Sequence, residues 1–201
     1  MYDSVNSKYT YKNSDTLINK LDIKDEKKLK EYETKMVAVK LAILMKENKI
    51  KTFDEEHFKY IHNFLFCDVY DFAGKYREEN ITKENFLFSD YRYINENIKL
   101  IFKKIDVEKI KNMKYNGLIK FISEIMTDLN VLHPFREGNG RATREFIRQL
   151  LNEVGYNINF FKIDYNDILN ASIKAVIDDS EQINLLKKYV NKRGENKWRK
   201  V

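Results

Sequence analysis

Apolar residues along most of this chain recur at three- and four-residue steps, the period of a helix that buries one face. In DEKKLKEYETKMVAVKLAILMKENK the stripe is Leu29, Tyr32, Met36, Val39 and Ile43, and Asp25 stands where an N-cap belongs. TFDEEHFKYIHNFLFCDVYDFAG carries Phe58, Ile61, Leu65 and Val69, with Gly74 as its stop. NGLIKFISEIMTDLNVL has the broadest stripe, Leu118, Phe121, Ile122, Ile125, Met126 and Leu129, suited to the middle of a bundle. TREFIRQLLNEVG repeats the pattern through Phe146, Ile147, Leu150, Leu151 and Val154, and Gly155 falls at C′. NDILNASIKAVI and SEQINLLKKYVNK predict two shorter helices, starting near Asn166 or Asp167 and near Ser180.

The period breaks at NITKENFLFSDYRYI. Ile81, Thr82, Phe86, Phe88, Tyr91 and Tyr93 are strand formers and Glu84-Asn85 suits a turn, which predicts a short hairpin over residues 80–89. The first twenty or so residues show no period and read as an arm packed through Tyr9, Tyr11 and Leu17. No repeat or sharp shift of composition divides the chain. The expected architecture is all-α with one hairpin: an arm (1–24), a helical domain (25–190) and a basic tail (191–201).

Composition changes this picture little. The 201 residues, 43% hydrophobic and 34% charged, suit one soluble domain with a buried core. The net charge of +6 is spread thinly, and its one dense run, KKYVNKRGENKWRK, reads as a helix end and tail; direct nucleic-acid binding is not expected. No apolar run reaches the length of a membrane span, and no segment looks like a signal peptide. Cys67 has no internal disulfide partner and reads as a small core residue. These features point to a cytoplasmic protein.

The chemistry gathers in residues 133–144, HPFREGNGRATR, which hold the only Pro and two of the six Gly. Pro134 disfavours helical geometry at His133, so the chain turns out there. Gly138 and Gly140 let the backbone curl, and the next helix opens with unpaired N–H groups and the positive end of its dipole, a cradle for an anion. Arg141 and Arg144 lie three apart in the first turn, where both reach a multiply charged phosphate group. Glu137 makes sense beside phosphates as a holder of Mg²⁺. His133 has the near-neutral pKa of a general base. The loop lacks the Lys-Ser/Thr pair of a P-loop. A zinc site is poorly supplied too, since His57 and His62 are five apart on different helix faces and read as structural.

HPFREGNGRATR resembles the signature of the Fic family, His-x-Phe-x-Asp/Glu-Gly-Asn-Gly-Arg-x-x-Arg, at every defined position. The resemblance extends to YTYKNSDTLINKL, FCDVYDFAGKYRE and NITKENFLF, and implies the Fic fold, with the hairpin as a flap beside the active-site loop. It implies a protein adenylyltransferase that uses ATP and Mg²⁺ and moves AMP to a Tyr, Ser or Thr hydroxyl of a target protein. His133 would be the base and Glu137 the Mg²⁺ holder. Gly138, Asn139 and Gly140 would surround the α-phosphate, Arg141 would meet the β-phosphate and Arg144 the γ-phosphate, while Phe135 anchors the loop. Ile81, Thr82, Lys83, Phe86, Leu87 and Phe88 would form the flap that pairs with extended target backbone. The Doc branch has Lys where this chain has Gly140 and transfers phosphate, so Gly140 argues for AMP.

Many members also carry an inhibitory Ser/Thr-x-x-x-Glu-Gly/Asn helix. Here only Thr52 has a Glu four residues on, and His57 follows Glu56 where Gly or Asn belongs. The resemblance then implies control by a small helical antitoxin supplying that Glu, with the protein acting as a toxin or an effector; toxin members modify the B subunits of DNA gyrase and topoisomerase IV. Other readings are a different nucleotide or phosphate-containing donor, and a non-catalytic binding module.

Overall fold

The computed structural model describes residues 2–3, 7–46, 50–83 and 86–194, the first two by backbone alone. In chain order the elements are β1 (Tyr2–Asp3), α1 (Glu26–Lys46), α2 (Glu55–Phe66), β2 (Thr82–Lys83), β3 (Phe86–Leu87), α3 (Ile94–Lys103), α4 (Val107–Lys111), α5 (Tyr115–Leu132), α6 (Asn139–Glu153), β4 (Tyr156–Asn157), α7 (Tyr165–Lys174), α8 (Ser180–Tyr189) and β5 (Asn191–Lys192). The all-α class with a small antiparallel flap holds. In that sheet β2 lies between β1 and β3, with Thr82 opposite Leu87 and Lys83 opposite Phe86. The expected turn at Glu84-Asn85 lies outside the described residues, as does the basic tail beyond Gly194.

The core forms where α2, α5 and α6 meet. Phe58, Ile61, Ile122, Ile125, Leu129, Phe146, Ile147 and Leu150 are fully buried there, as their spacing predicts. Aromatic rings fill the centre: Phe58 contacts Phe102, Phe135 and Phe146 at centroid distances of 5.3–5.8 Å. The arm packs on this body through Leu17, which lies against the core, and through Tyr9, edge-on to Phe72. Asn19 folds it tightly, its amide donating to the Leu17 and Ile23 carbonyls while its Oδ1 accepts from the Leu21 and Ile23 N–H groups.

Several local expectations need correction. On α1 the buried face is Leu29, Glu33, Val37 and Leu44, whereas Val39 and Ile43 are exposed. Apolar residues surround this helix, and periodicity alone placed the face one step off. Asp25 does cap it, accepting from the Lys28 N–H at 2.9 Å. The helix α2 ends at Phe66, eight residues before Gly74, and the segment between is a run of turns that still buries Val69 and Tyr70. Tyr91 and Tyr93 belong to a 3₁₀ turn, capped by Asp90, which accepts from the Arg92 N–H. The helices α3 and α4 follow from it and carry Ile94, Ile98, Ile101 and Ile110 into the core. Asp164 caps α7, accepting from the Asn166 N–H, in place of Asn166 or Asp167. Cys67 is half-buried at the edge of the core. Asn191–Lys192, expected in the tail, pairs with Tyr156–Asn157.

Candidate active site

The loop between α5 and α6 is held from inside. His133 ends α5 in the left-handed region (φ 48, ψ 60), so the chain leaves the helix sharply. Phe135, fully buried, stacks on His62 at 3.7 Å between ring centroids. The Asn139 side chain closes the loop on itself, its Oδ1 accepting from the Phe135 N–H at 2.9 Å and its Nδ2 donating to the Phe135 carbonyl at 2.8 Å. Gly138 then takes φ 81, which Gly adopts without penalty. Its Cα lies so close to the Phe66 ring that an added Cβ would overlap it. Helix α6 opens at once at Asn139, earlier than the apolar stripe suggested. The N–H groups of Asn139 and Gly140 stand in its first turn, where no preceding helical carbonyl can receive them. That is the expected cradle, and the Asn139 side chain is its staple.

His62, expected to be structural, proves to be the loop's outside clamp. The Gly74 N–H donates to its Nδ1 at 2.9 Å, so Nε2 carries the proton and donates to the Glu137 carbonyl at 2.8 Å. Both bonds need the neutral ring. Burial pushes its pKa down to about 3. The five-residue spacing to His57 separates the two functions: His57 is buried one turn earlier and meets Gln149 Oε1 at 2.9 Å, inside the α2–α6 contact.

His133 is buried, with its imidazole stacked on Phe88 of the flap at 3.8 Å. Its Nδ1 lies 3.2 Å from the Asn130 carbonyl. A carbonyl only accepts, so Nδ1 carries the proton and Nε2 is the basic nitrogen. Burial, with further pressure from Arg77 and Lys83, pushes the His133 pKa down to about 3. The near-neutral pKa expected from its residue type is not kept, and the ring is neutral at physiological pH.

Sequence reading missed Arg77. It is one of the largest fully buried side chains. Its guanidinium donates to the carbonyls of His133 (2.8 Å), Leu132 (3.2 Å), Glu79 (2.7 Å) and Ser89. Its own N–H donates to the Pro134 carbonyl at 2.8 Å. His133 and both roots of the flap thus share one anchor. The quoted GKYRE stretch contained this residue, but an isolated Arg in a turn gives no sign of burial.

The charged members fall into two groups. Glu137 Oε1 accepts from the Gly138 N–H at 2.8 Å and lies 3.2 Å from Arg141 Nη2. Arg141 is pinned more tightly by Glu33 of α1, at 2.6 Å, and lies over the Phe66 ring. Burial opposes its charge, but Glu33 and Glu137 outweigh burial and raise its pKa. Arg144 has no ion pair among the described residues; burial and then Arg141 lower its pKa. Arg144 lines a cavity of about 360 Å³ whose walls include Val37, Leu41, Ile158, Phe160 and Tyr165.

In the flap, Ile81 and Phe88 point inward, Ile81 being fully buried and Phe88 lying on His133. Thr82 and Lys83 are half-buried, while Phe86 and Leu87 are exposed at 37% and 63%. Of the six expected flap residues, Phe86 and Leu87 offer the most surface to a partner.

Two neutral buried histidines have a measurable consequence. A group whose folded pKa is depressed leaves the unfolded chain to bind protons first, so stability is present above the ordinary value near 6.5 and is lost as pH falls towards about 3. Each histidine contributes a slope of up to about 1.4 kcal/mol per pH unit in that window. Urea unfolding followed from pH 7 to pH 5 is expected to show a falling midpoint. A flat profile would contradict the neutral assignments.

A left-handed turn into a helix N-terminus thus gathers two arginines and a histidine in one loop. The profile of the Fic/DOC family matches residues 52–151, and the chain belongs to that family. It is 34% identical over 186 residues to the protein adenylyltransferase VbhT of Bartonella schoenbuchensis, covering 92% of this chain and 39% of that protein. It is 25% identical to the probable protein adenylyltransferase Fic of Escherichia coli, covering 94% of both. The N-terminal Fic domain of a Bartonella quintana effector, solved with bound ADP, superposes with a TM-score of 0.83 at 26% identity, covering 92% of this chain and 95% of that one. The chain therefore spans well under half of VbhT and nearly all of the Escherichia coli relative.

Proposed function

We propose that this chain transfers AMP from ATP to a hydroxyl side chain of a protein. The observation that carries the reading is His133, held neutral with Nε2 basic at the entrance to the α6 cradle. Nε2 takes the proton of the target hydroxyl, and the oxygen attacks the α-phosphorus. The bond to the bridging oxygen breaks and pyrophosphate leaves. The amides opening α6 and the two arginines face the charge that builds on the phosphates.

The residues also fit Mg²⁺, which takes one or two carboxylates and leaves its other positions to phosphate and water. Glu137 Oε2 has no protein hydrogen bond among the described residues, and no cluster of three metal-binding side chains competes with it there. Bound at Glu137, the ion would neutralise phosphate charge. Target backbone would add along the exposed Phe86–Leu87 edge of the flap.

Control is read as external. Thr52 bonds to Asp54 at the start of α2 and Glu56 pairs with Lys59, so that pair does not meet Arg144. The apolar cavity beside Arg144 suits one face of a short partner helix whose Glu would occupy the γ-phosphate position. No helix among the described residues is long and apolar enough to cross a membrane, and a reducing cytosol is the proposed compartment.

The test uses the full chain with Mg²⁺, a bacterial lysate and ATP labelled at either the α- or the γ-phosphate. Label from the α-position should appear on protein and label from the γ-position should not, with type II topoisomerase B subunits the first bands to identify. Transfer from the γ-position, or none from any nucleotide, would overturn the reading. Leu87→Asp should lower target labelling at least tenfold with ATP affinity within about twofold, because interface anchors are commonly worth 1–2 kcal/mol or more. Unchanged labelling would remove the strand-pairing idea. Phe88 is unsuited to this test, since it touches His133.

A further inference from the structure

Glu33 stands in the middle of α1, a hundred residues before the loop, and is only 6% exposed. Its Oε1 accepts from Arg141 Nη1 at 2.6 Å, and its Oε2 accepts from the Tyr70 hydroxyl at 2.5 Å. Tyr70 is itself buried, and burial together with Glu33 raises its pKa, so it remains a donor. Both carboxylate oxygens of Glu33 are thereby fixed.

Arg141 has another acid within reach. Glu137 lies four residues before it, a spacing that brings side chains together at the start of a helix, yet that contact is the longer one at 3.2 Å and uses a single oxygen. Geometry favours Glu33 in the competition for the guanidinium. A buried carboxylate is also an expensive way to fill a helix face that a Leu would fill, which suggests a purpose beyond packing.

We propose that Glu33 is a positioning residue that draws the Arg141 fork away from Glu137, keeping the Glu137 carboxylate available to a divalent cation. This rests on the reading of the site given above. Without the Glu33 charge, Arg141 turns to Glu137 and forms the two-pronged pair that an arginine and a carboxylate prefer. The cation then competes with a guanidinium for the Glu137 carboxylate.

The experiment is calorimetric titration of a non-hydrolysable ATP analogue into the full chain, over a series of Mg²⁺ concentrations and in EDTA. For Glu33→Gln the Mg²⁺ concentration giving half of the metal-dependent gain in affinity should rise about tenfold, the scale of outer-shell effects on metal sites, while affinity in EDTA stays within about twofold. Glu33→Gln combined with Glu137→Gln should show no further loss beyond Glu137→Gln alone. Tyr70→Phe retains the charge but frees one carboxylate oxygen, and should shift the Mg²⁺ dependence in the same direction by a smaller factor; it decides the matter if Glu33→Gln does not fold. Equal losses of affinity with and without Mg²⁺ would mark Glu33 as merely structural and overturn the proposal. So would an unchanged Mg²⁺ dependence in a protein whose wild type shows one. A wild type whose nucleotide affinity ignores Mg²⁺ would instead overturn the metal reading of Glu137, and this inference with it.

Discussion

Replacing His133 is expected to reduce AMP transfer by roughly 10²–10⁴-fold, the usual worth of a positioned general base, with ATP affinity changed less than about threefold. The separation follows from how the loop is held. Phe135, Asn139 and His62 fix the cradle, and the His133 side chain is not among its braces. The backbone at this position is left-handed, so alanine would add strain of about 1–2 kcal/mol unrelated to chemistry. His133→Asn is the better variant, because asparagine tolerates that region. Steady-state transfer and calorimetric ATP binding, measured on the same preparation, check the result. Parallel loss of both would mean that the ring supports the loop and does not take the proton.

The second large effect is expected at Gly138. A methyl group there would enter the ring of Phe66, which is itself fully buried and packed against His62. Either the ring moves, at the cost of about 1–3 kcal/mol for overpacking, or the backbone leaves φ 81, where alanine already costs about 1–2 kcal/mol. Gly138→Ala should therefore destabilise the fold by about 3 kcal/mol, a large share of the typical 5–15 kcal/mol. Any folded fraction should bind ATP poorly, since the amides of the first turn of α6 shift with it. Urea denaturation and nucleotide titration would show this. Phe66→Leu in the same background should recover part of the stability by making room. If the double variant is no better than the single one, contact with the ring is not the source of the loss.

The periodic helices were legible because their burial is two-sided and their spacing strict. Those of α2, α5 and α6 put Phe58, Leu118, Leu129 and Phe146 in the core as expected. The face of α1 was harder to read, because what it buries includes Glu33, and a charged residue gives no inward signal to a hydrophobicity pattern. The helices α3 and α4 were missed beside the aromatic run at Tyr91–Tyr93, where strand formers sit in a capped turn. Within the site, the residues around the glycines could be named because loop chemistry is local. Arg77 and Glu33 could not, and His62 could be placed only as structural, since each acts through a contact 55–108 residues away along the chain. Such partners emerge only when the chain is folded.

Arg77 also fixes where the flap begins and ends. One guanidinium grips the carbonyls of Glu79 and Ser89, and the Ser89 N–H donates to Val131 at 3.2 Å, so both roots are tied to the end of α5. Ile81 is locked in the core a residue or two beyond. Beyond it Thr82 and Lys83 are paired on both sides, with β1 and with β3. A strand edge held in this way keeps one place and one direction, so a strand added to it would have to arrive already extended. If targets dock on this edge as proposed, acceptor hydroxyls on loops or tails able to straighten should be labelled, and those within rigid helices should not.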